Sequence, residues 1–260
     1  MVRDIGAPEK KRYMRRFFAG KNNIAANEIV IDDPGDVHHI TNVLRLKTGA
    51  VIEISDSEDF EYSAEIISAS QNCVRARILD KNKFAGEPDI NITLFQSVPK
   101  QGKMESIVQK STELGVSVII PVFTARTVAE RNGNIKGKIL RWRKIAGEAA
   151  KQCRRGVVPQ IEEEAAFSDM TDMIACNEFD KVIFPYENEK GRSIKDALRE
   201  LEVKPKDIAV VIGPEGGFAE EEAEALTAAG ADAVSLGRTV LRTETAGPAA
   251  IAMIMYELEL

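Results

Sequence analysis

Hydrophobic and polar residues alternate with a period of two in the first third of the chain. In CVRARIL (73–79), Val74, Ala76 and Ile78 alternate with arginines, the pattern of a strand with one buried face. Short strands are predicted at 50–55, 61–67 and 73–79. One helix, predicted over 34–45, precedes them. Short strands at this spacing predict a small β-barrel.

From residue 90 onward, apolar strands alternate with amphipathic helices. Strands are predicted at 91–98, 117–123, 181–186, 207–213 and 233–237. Helices are predicted at roughly 102–114, 137–153, 168–175, 193–200, 219–229 and 245–259. This alternation predicts an α/β domain with a parallel sheet and right-handed crossovers. The segment 85–89 reads as a linker, so we expect one domain over 1–84 and a second over 90–260.

The composition is that of an ordinary globular protein, with 44% hydrophobic and 29% charged residues among 260. It excludes wholesale disorder, and the length is enough for two hydrophobic cores. No apolar stretch approaches the roughly 20 residues of a membrane-spanning helix, and the charged first residues lack the apolar region of a secretory signal. We therefore expect a cytoplasmic protein that does not bind a membrane.

Metal-based and histidine-based chemistry is disfavoured. The cysteines show no C-x-x-C spacing, and the only histidines are the adjacent pair His38 and His39. No metal site is expected from so few ligands. Chemistry must therefore come from Arg, Lys, Glu, Asp, Thr and backbone groups, or from a bound cofactor.

The net charge of -6 disfavours a nucleic-acid partner, but the basic residues are clustered. Residues 1–21 hold seven of them, and 136–155 hold eight against the single acidic residue Glu148. Phosphates respond to local patches of this kind within a Debye length of about 8–10 Å. The second cluster is either a solvated helix face or a contact for an RNA backbone, and we favour RNA.

Glycines mark the ends of two predicted strands. IGPEGGF (212–218) follows one strand, and SLG (235–237) ends the next. Glycine lets a ligand approach the main chain, and ligands of parallel sheets bind at the carboxyl ends of strands. The two ends therefore predict one shared pocket, with a plain strand-to-helix turn as the alternative. Neither the P-loop motif nor G-x-G occurs, so the common phosphate and dinucleotide fingerprints are absent.

The final helix is apolar on nearly every side, which predicts burial within its domain or against a partner. A polar insertion that includes Arg242 and Glu244 stands directly before it. The insertion has two interpretations. In the structural one, these two residues form an ion pair, and in the functional one, they lie at the shared pocket.

Five segments, in this order along the chain, resemble the bacterial small-subunit ribosomal RNA uridine-N3 methyltransferases of the SPOUT superfamily. They are HHITNVLRLKTGAVIEISD (38–56), QKSTELGV (109–116), RWRKIAGEAAKQCRR (141–155), IGPEGGF (212–218) and SLGRTVLRTETA (235–246). The resemblance covers about 14–258, which leaves 1–13 as an extension. Cys153 and the stretch 125–130 depart from the family pattern, and neither is expected to touch the pocket.

The resemblance implies a PUA-like N-terminal β-barrel that binds RNA and a C-terminal SPOUT domain with a deep trefoil knot. It also implies a homodimer, S-adenosylmethionine as the methyl donor, and 16S ribosomal RNA within the small subunit as the substrate.

By motif position, the donor would lie against the ends of three strands. The residues expected to bind it are Phe184, Pro185, Tyr186, Ile212, Gly213, Pro214, Glu215, Gly216, Gly217, Leu236, Gly237, Val240, Leu241, Thr245 and Ala246. The residues expected to contact RNA are Arg15, Arg16, His38, His39, Arg45, Lys100, Lys103, Arg154 and Arg155.

The reaction would be attack of uridine N3 on the methyl carbon of the donor. Because N3 carries a proton in neutral uridine, a base or strong electrostatic stabilisation is needed. Arg242 is the candidate for stabilising the uridinate oxygens. Glu215 or Glu244 would take the proton or orient Arg242, and the sequence does not choose between them. The rival interpretations are a non-catalytic RNA-binding protein and an α/β enzyme that acts on a small anionic metabolite.

Overall fold

The computed structural model describes residues 15–84, 86–100, 102–128 and 134–259. Its contacts divide the chain into two compact units. The first comprises 1–86 together with 154–157, and the second comprises 87–153 and 158–260.

The first unit is built on a five-stranded mixed sheet with the order β1-β3-β4-β5-β2. Its strands are β1 (Arg16–Phe18), β2 (Glu28–Ile31), β3 (Val51–Ser55), β4 (Phe60–Ala69) and β5 (Val74–Lys83). Strand β1 runs parallel to β3, and the remaining pairs are antiparallel. Alternate residues such as Ile52, Ile54 and Ile66 are fully buried in one core, as the period-two pattern predicts.

The predicted helix over 34–45 is shorter in the structure. Helix α1 (Pro34–His38) begins with the Asp33 side chain accepting a hydrogen bond from the Asp36 N–H, at 2.9 Å. The chain then widens into a π-type turn over His39–Val43, in which the Leu44 N–H donates to the His39 carbonyl. Strands β1 and β2 carry no clear sequence signal because each is only three or four residues long.

Residues 154–157 return to the first unit after the long helix of the second. The Arg16 guanidinium donates to the Arg154 carbonyl at 2.8 Å, and the Ser55 hydroxyl donates to the Gly156 carbonyl at 2.6 Å. These buried polar contacts join segments more than 100 residues apart in the sequence.

The second unit contains a parallel sheet of seven strands, which confirms the predicted parallel α/β fold. Six of them have the order β12-β10-β11-β6-β7-β8, and β9 also pairs with β7. The strands are β6 (Asn91–Ser97), β7 (Val118–Phe123), β8 (Gln160–Ile161), β9 (Ala165–Ala166), β10 (Lys181–Pro185), β11 (Asp207–Ile212) and β12 (Asp232–Val234). All the pairs are parallel.

Helices cover both faces of this sheet. They are α2 (Lys103–Glu113), α3 (Ile135–Cys153), α4 (Phe167–Ala175), α5 (Ile194–Arg199), α6 (Glu220–Ala228) and α7 (Thr243–Leu258). In β11, Ile208 and Val210 pack in one core with residues of α2, α3, α5 and α7. Ala209 and Val211 pack in the other core with residues of α4 and α6. The strand reads as a continuous apolar run because both of its faces are buried.

Helix α7 is only partly covered. Ala250, Ile251 and Ile254 are buried in the core, whereas Met253 is exposed and Tyr256 is 71% exposed. Within one chain, this apolar helix therefore has one buried face and one exposed face.

Within the described residues, no helix is long and apolar enough to cross a membrane.

Candidate active site

A cavity of about 540 Å³ lies at the carboxyl edge of the second unit's sheet. Strands β12, β10 and β11 are adjacent and parallel, so their ends meet at this edge. The cavity lies within the size range of small-molecule and cofactor sites.

Most of the residues predicted to bind the methyl donor line this cavity. They are Pro185, Tyr186, Ile212, Gly213, Pro214, Gly217, Leu236, Gly237, Val240, Leu241 and Ala246. Four others do not line it: Phe184, Glu215, Gly216 and Thr245. Phe184 is fully buried beneath the site, where its ring packs edge-on against Phe218 and tilted against Tyr186.

Two glycines adopt backbone conformations that favour glycine at the cavity wall. Gly217 has φ +67°, and an added Cβ would lie 2.9 Å from a carboxylate oxygen of Glu187. Gly237 has φ +140°, with no atom within 4 Å of an added Cβ. Residues 213–217, hereafter the glycine loop, are closed by a hydrogen bond from the Gly217 N–H to the Pro214 carbonyl at 3.0 Å.

The loop after β7 also contacts the glycine loop. The Arg126 guanidinium donates to the Gly216 carbonyl at 2.9 Å. The buried Glu222 accepts from the N–H groups of Ala125 and Ala219 at 2.7 and 3.0 Å, which ties this loop to the start of α6. The stretch 125–130 was expected not to touch the pocket. Residues 125–128 do not line the cavity, and Arg126 contacts the glycine loop at Gly216, which does not line it either; 129–130 are outside the described residues.

Buried hydrogen bonds connect the glycine loop to the start of α7. The Gln96 side chain, at the end of β6, donates from Nε2 to the Ser97 carbonyl and to the Thr243 hydroxyl, both at 3.0 Å. The Thr243 hydroxyl donates to the Gly213 carbonyl at 2.8 Å. Both Gly213 and Thr243 line the cavity.

A charged cluster lies beside this network. The Lys103 Nζ is 3.0 Å from Glu215 Oε1 and 3.3 Å from Glu244 Oε2. The Lys100 N–H also donates to Glu215 Oε1 at 3.0 Å. The structure therefore brings together both candidate acid–base residues around a lysine that had been expected to contact RNA.

The surroundings lower the pKa of both carboxylates. Desolvation raises the pKa of Glu215, but its own backbone N–H, the Lys103 ammonium and the Lys100 N–H together hold that pKa below the ordinary value. The pKa of Glu244 is lowered mainly by its own backbone N–H and further by Lys103. The hydrogen bond to Glu215, aided by Glu244, raises the pKa of Lys103 despite desolvation. A lowered pKa makes a carboxylate a weaker base.

Arg242 extends into solvent next to this cluster. Its side chain is 84% exposed, and Nη1 lies 4.0 Å from Glu244 Oε1. Arg242 itself does not line the cavity, but its neighbours Leu241 and Thr243 do. The backbone of Arg242 therefore lies at the rim of the cavity. Among the described residues, Glu244 is the only ion-pair partner of its guanidinium.

Sequence reasoning missed several polar residues of the site. These are Glu187, Glu189, Lys190 and Ser235, whereas Arg238 and Thr239, which also line the cavity, lie between the predicted Gly237 and Val240. The N–H groups of Gly191 and Arg192 lower the pKa of Glu189 below its ordinary value. Gln96 was missed too, although a glutamine within the apolar run NITLFQSV is a signal that could have found it, because a buried amide must find hydrogen-bond partners.

The candidate RNA contacts of the chain differ in exposure. Exposed side chains belong to Arg15, His38, Arg45, Lys100 and Arg154. Arg45 and Arg154 also have positive φ, at +51° and +63°. His39 is half-buried with its ring edge-on to Phe17.

Two other candidates are buried. The Arg16 side chain is 6% exposed; it is hydrogen-bonded to Glu61 at 2.6 Å and stacked over the Phe84 ring at 5.0 Å. Arg155 is 8% exposed. Both arginines therefore have little surface to offer an RNA phosphate.

Family profiles identify the class of protein to which the chain belongs. A family profile described as an RNA methyltransferase domain matches residues 86–255, and a profile described as an RNA methyltransferase PUA domain matches 31–79. The chain is thus an RNA methyltransferase with a PUA domain.

Individual relatives narrow the class to one family. The ribosomal RNA small subunit methyltransferase E of Bacillus subtilis is 35% identical over 229 residues, which cover 86% of this chain and 89% of the relative. The enzyme of the same name from Neisseria gonorrhoeae, solved bound to S-adenosyl methionine, is 28% identical with a TM-score of 0.82, covering 94% of this chain and 98% of that one. A methyltransferase from Legionella pneumophila, solved with bound S-adenosylmethionine, is 26% identical with a TM-score of 0.83 and the same coverage. The chain belongs to the ribosomal RNA small subunit methyltransferase E family.

Proposed function

We propose that this enzyme transfers a methyl group from S-adenosylmethionine to N3 of a uridine in small-subunit (16S) ribosomal RNA. The observation that carries the proposal is the cavity at the ends of β10, β11 and β12, with Arg242 and the Lys103–Glu215–Glu244 cluster beside it. Family membership supplies the reaction class, and the chemistry of the rim supports the choice of acceptor.

The residues of the cavity fit the donor. The wall combines apolar side chains such as Ile212 and Leu236 with backbone made accessible by Gly213 and Gly237, which suits an adenosine. Charged side chains at the same wall, including Glu189 and Lys190, suit the ammonium and carboxylate of a methionine moiety. When bound, the donor supplies an electrophilic methyl carbon.

The residues of the rim suit a uridine that loses its N3 proton to solvent water. Negative charge then spreads onto the two carbonyl oxygens of the base, and the planar Arg242 guanidinium can donate to them. Glu244 is the carboxylate near Arg242, so we assign it the role of orienting the guanidinium. Because the pKa values of Glu215 and Glu244 are both lowered, we assign more of the rate enhancement to anion stabilisation than to general base catalysis.

The position of the acceptor atom also restricts the conformation of the target RNA. N3 lies on the base-pairing edge of uridine, so the target must be unpaired when it reacts. Proteins read single-stranded loops and ends in this way, with bases splayed from the stack. We propose that exposed cations of the first unit and of α3 each contact the RNA backbone, and that the enzyme acts in the cytoplasm on the small ribosomal subunit.

The test is methylation of small ribosomal subunits that lack the modification, with labelled S-adenosylmethionine, followed by nucleoside analysis and mapping. We expect 3-methyluridine at one position. A methyl group on a ribose oxygen or on a different base would contradict the proposal. A non-catalytic RNA-binding protein would bind RNA and transfer no label.

A further inference from the structure

The segment from the end of β6 to the start of α2 contacts two parts of the cavity wall. One is the glycine loop, and the other is the start of α7. Gln96 is the penultimate residue of the strand, and Lys103 begins the helix. Lys103 contacts both parts directly, whereas Gln96 bonds to Thr243 of α7, which in turn bonds to Gly213 of the loop.

The inner link has a fixed hydrogen-bond direction. The Ser97 carbonyl can only accept, so the Gln96 amide must turn its nitrogen toward Ser97 and Thr243. The Thr243 hydroxyl then accepts from Gln96 and has its single hydrogen left for the Gly213 carbonyl. Gln96 is fully buried, whereas the bond from Thr243 to Gly213 lies partly buried at the cavity wall.

The outer link is ionic and partly exposed. The Lys103 ammonium lies between Glu215 of the glycine loop and Glu244 of α7, and its side chain is 32% exposed. Without the cation, two carboxylates would face each other across the gap. Their repulsion would separate the loop from the helix that carries Arg242.

We propose that Gln96 and Lys103 are positioning residues for methyl transfer, which hold the glycine loop and the start of α7 at a fixed spacing. The proposal rests on the assignment of the cavity to the methyl donor. The glycine loop forms part of the proposed donor wall, whereas Arg242, which we assign to the acceptor, is the residue directly before α7. The spacing between them therefore sets the distance between donor and acceptor, and small misplacements of reacting groups can cost on the order of 10²-fold in rate.

The alternative for Lys103 is a direct contact with an RNA phosphate. That role predicts a loss of RNA affinity and a shallower salt dependence. The positioning role predicts a loss of rate at saturating RNA and an altered pH profile, with both binding affinities retained.

The test compares Lys103→Met with Lys103→Arg and with Lys110→Met, a control for an exposed lysine on the same helix. We expect Lys103→Met to lose about tenfold to hundredfold in single-turnover methylation, with RNA affinity and its salt slope unchanged. Lys103 lowers the pKa of both glutamates, so its loss should let them protonate at higher pH and move the acidic limb of the rate profile upward. Lys103→Arg should restore most of the rate, and Lys110→Met should behave as wild type.

The inner link is tested by Thr243→Val, which removes the hydroxyl, against Thr243→Ser, which keeps it. We expect the serine variant, which keeps the hydroxyl, to be about tenfold faster than the valine variant, with thermal unfolding reported for both. Wild-type rate and pH profile in Lys103→Met, or a salt slope reduced by about one unit, would overturn the proposal for Lys103. Equal rates in the two Thr243 variants would overturn the inner link. Failure of the proposed function would look different, because wild type itself would then bind no donor or yield no 3-methyluridine.

Discussion

At the scale of single residues, Gly237 and Gly230 form a natural comparison. Both have positive φ and no atom within 4 Å of an added Cβ, but only Gly237 lines the cavity. Alanine at either position should cost roughly 1–2 kcal/mol of folding stability because of the left-handed backbone. We expect only Gly237→Ala to weaken S-adenosylmethionine binding, by about tenfold or 1.4 kcal/mol. Calorimetric titration and chemical denaturation of both variants provide the check, and equal donor affinity would remove Gly237 from the site.

Arg242 is the residue whose removal should slow methyl transfer most. Its side chain is exposed and tethered near Glu244, so removing it should leave the fold and donor affinity intact. We expect Arg242→Ala to lose on the order of 10²–10³ in single-turnover methylation, since a charged donor to a developing anion is lost. Arg242→Lys should recover little, because a point charge does not reproduce the planar fork. A rate within about threefold of wild type, less than ~1 kcal/mol of barrier, would place the catalytic role elsewhere.

At the scale of elements, helix α3 carries exposed basic side chains. Lys138 and Lys144 are exposed on it. Arg155 is buried, so reversing its charge would disturb the local packing and would not test RNA contact. We expect Lys138→Glu with Lys144→Glu to weaken RNA binding and reduce the salt slope by about 1.5, from two phosphate contacts at roughly 0.7–0.9 each. Donor affinity should not change. An unchanged slope would mean that this helix face is only solvated.

The elements of the second unit were predictable because its strands have two buried faces and its helices have clear amphipathic patterns. The shared pocket was also predictable, from the glycines that end β11 and β12. Strands β8 and β9, at two residues each, were not, because tertiary pairing alone defines them.

Charge patterns were less informative than apolar ones. The sequence shows that Arg16, Lys103 and Arg155 are basic, but it does not show that Arg16 and Arg155 are buried or that Lys103 pairs with two glutamates. Those facts depend on contacts between residues that are distant along the chain. The trefoil knot rests on family resemblance, since general folding principles make knots very rare, and it stays a prediction.

At the scale of the whole molecule, the open face of α7 predicts association. Met253 and Tyr256 are exposed on a helix whose opposite face is fully buried. We expect a homodimer that covers this face and buries more than about 2,000 Å² in total. Tyr256→Glu should yield monomers in sedimentation velocity experiments, whereas Leu140→Glu, which alters an exposed apolar residue of α3, should not. A wild-type protein that is monomeric and active at micromolar concentration would contradict this expectation.

The central claim is that one cavity, at the ends of three adjacent strands, binds the methyl donor. Hydrogen–deuterium exchange of the whole protein with and without S-adenosylmethionine tests it most directly, because backbone amides of every segment are compared at once. We predict protection confined to peptides that cover 184–190, 212–218 and 234–246, the segments that form the cavity wall. Protection centred instead on the shallow groove between α2 and α3, which Gln109, Arg141 and Gln152 line, or no protection of the three strand ends, would contradict the account.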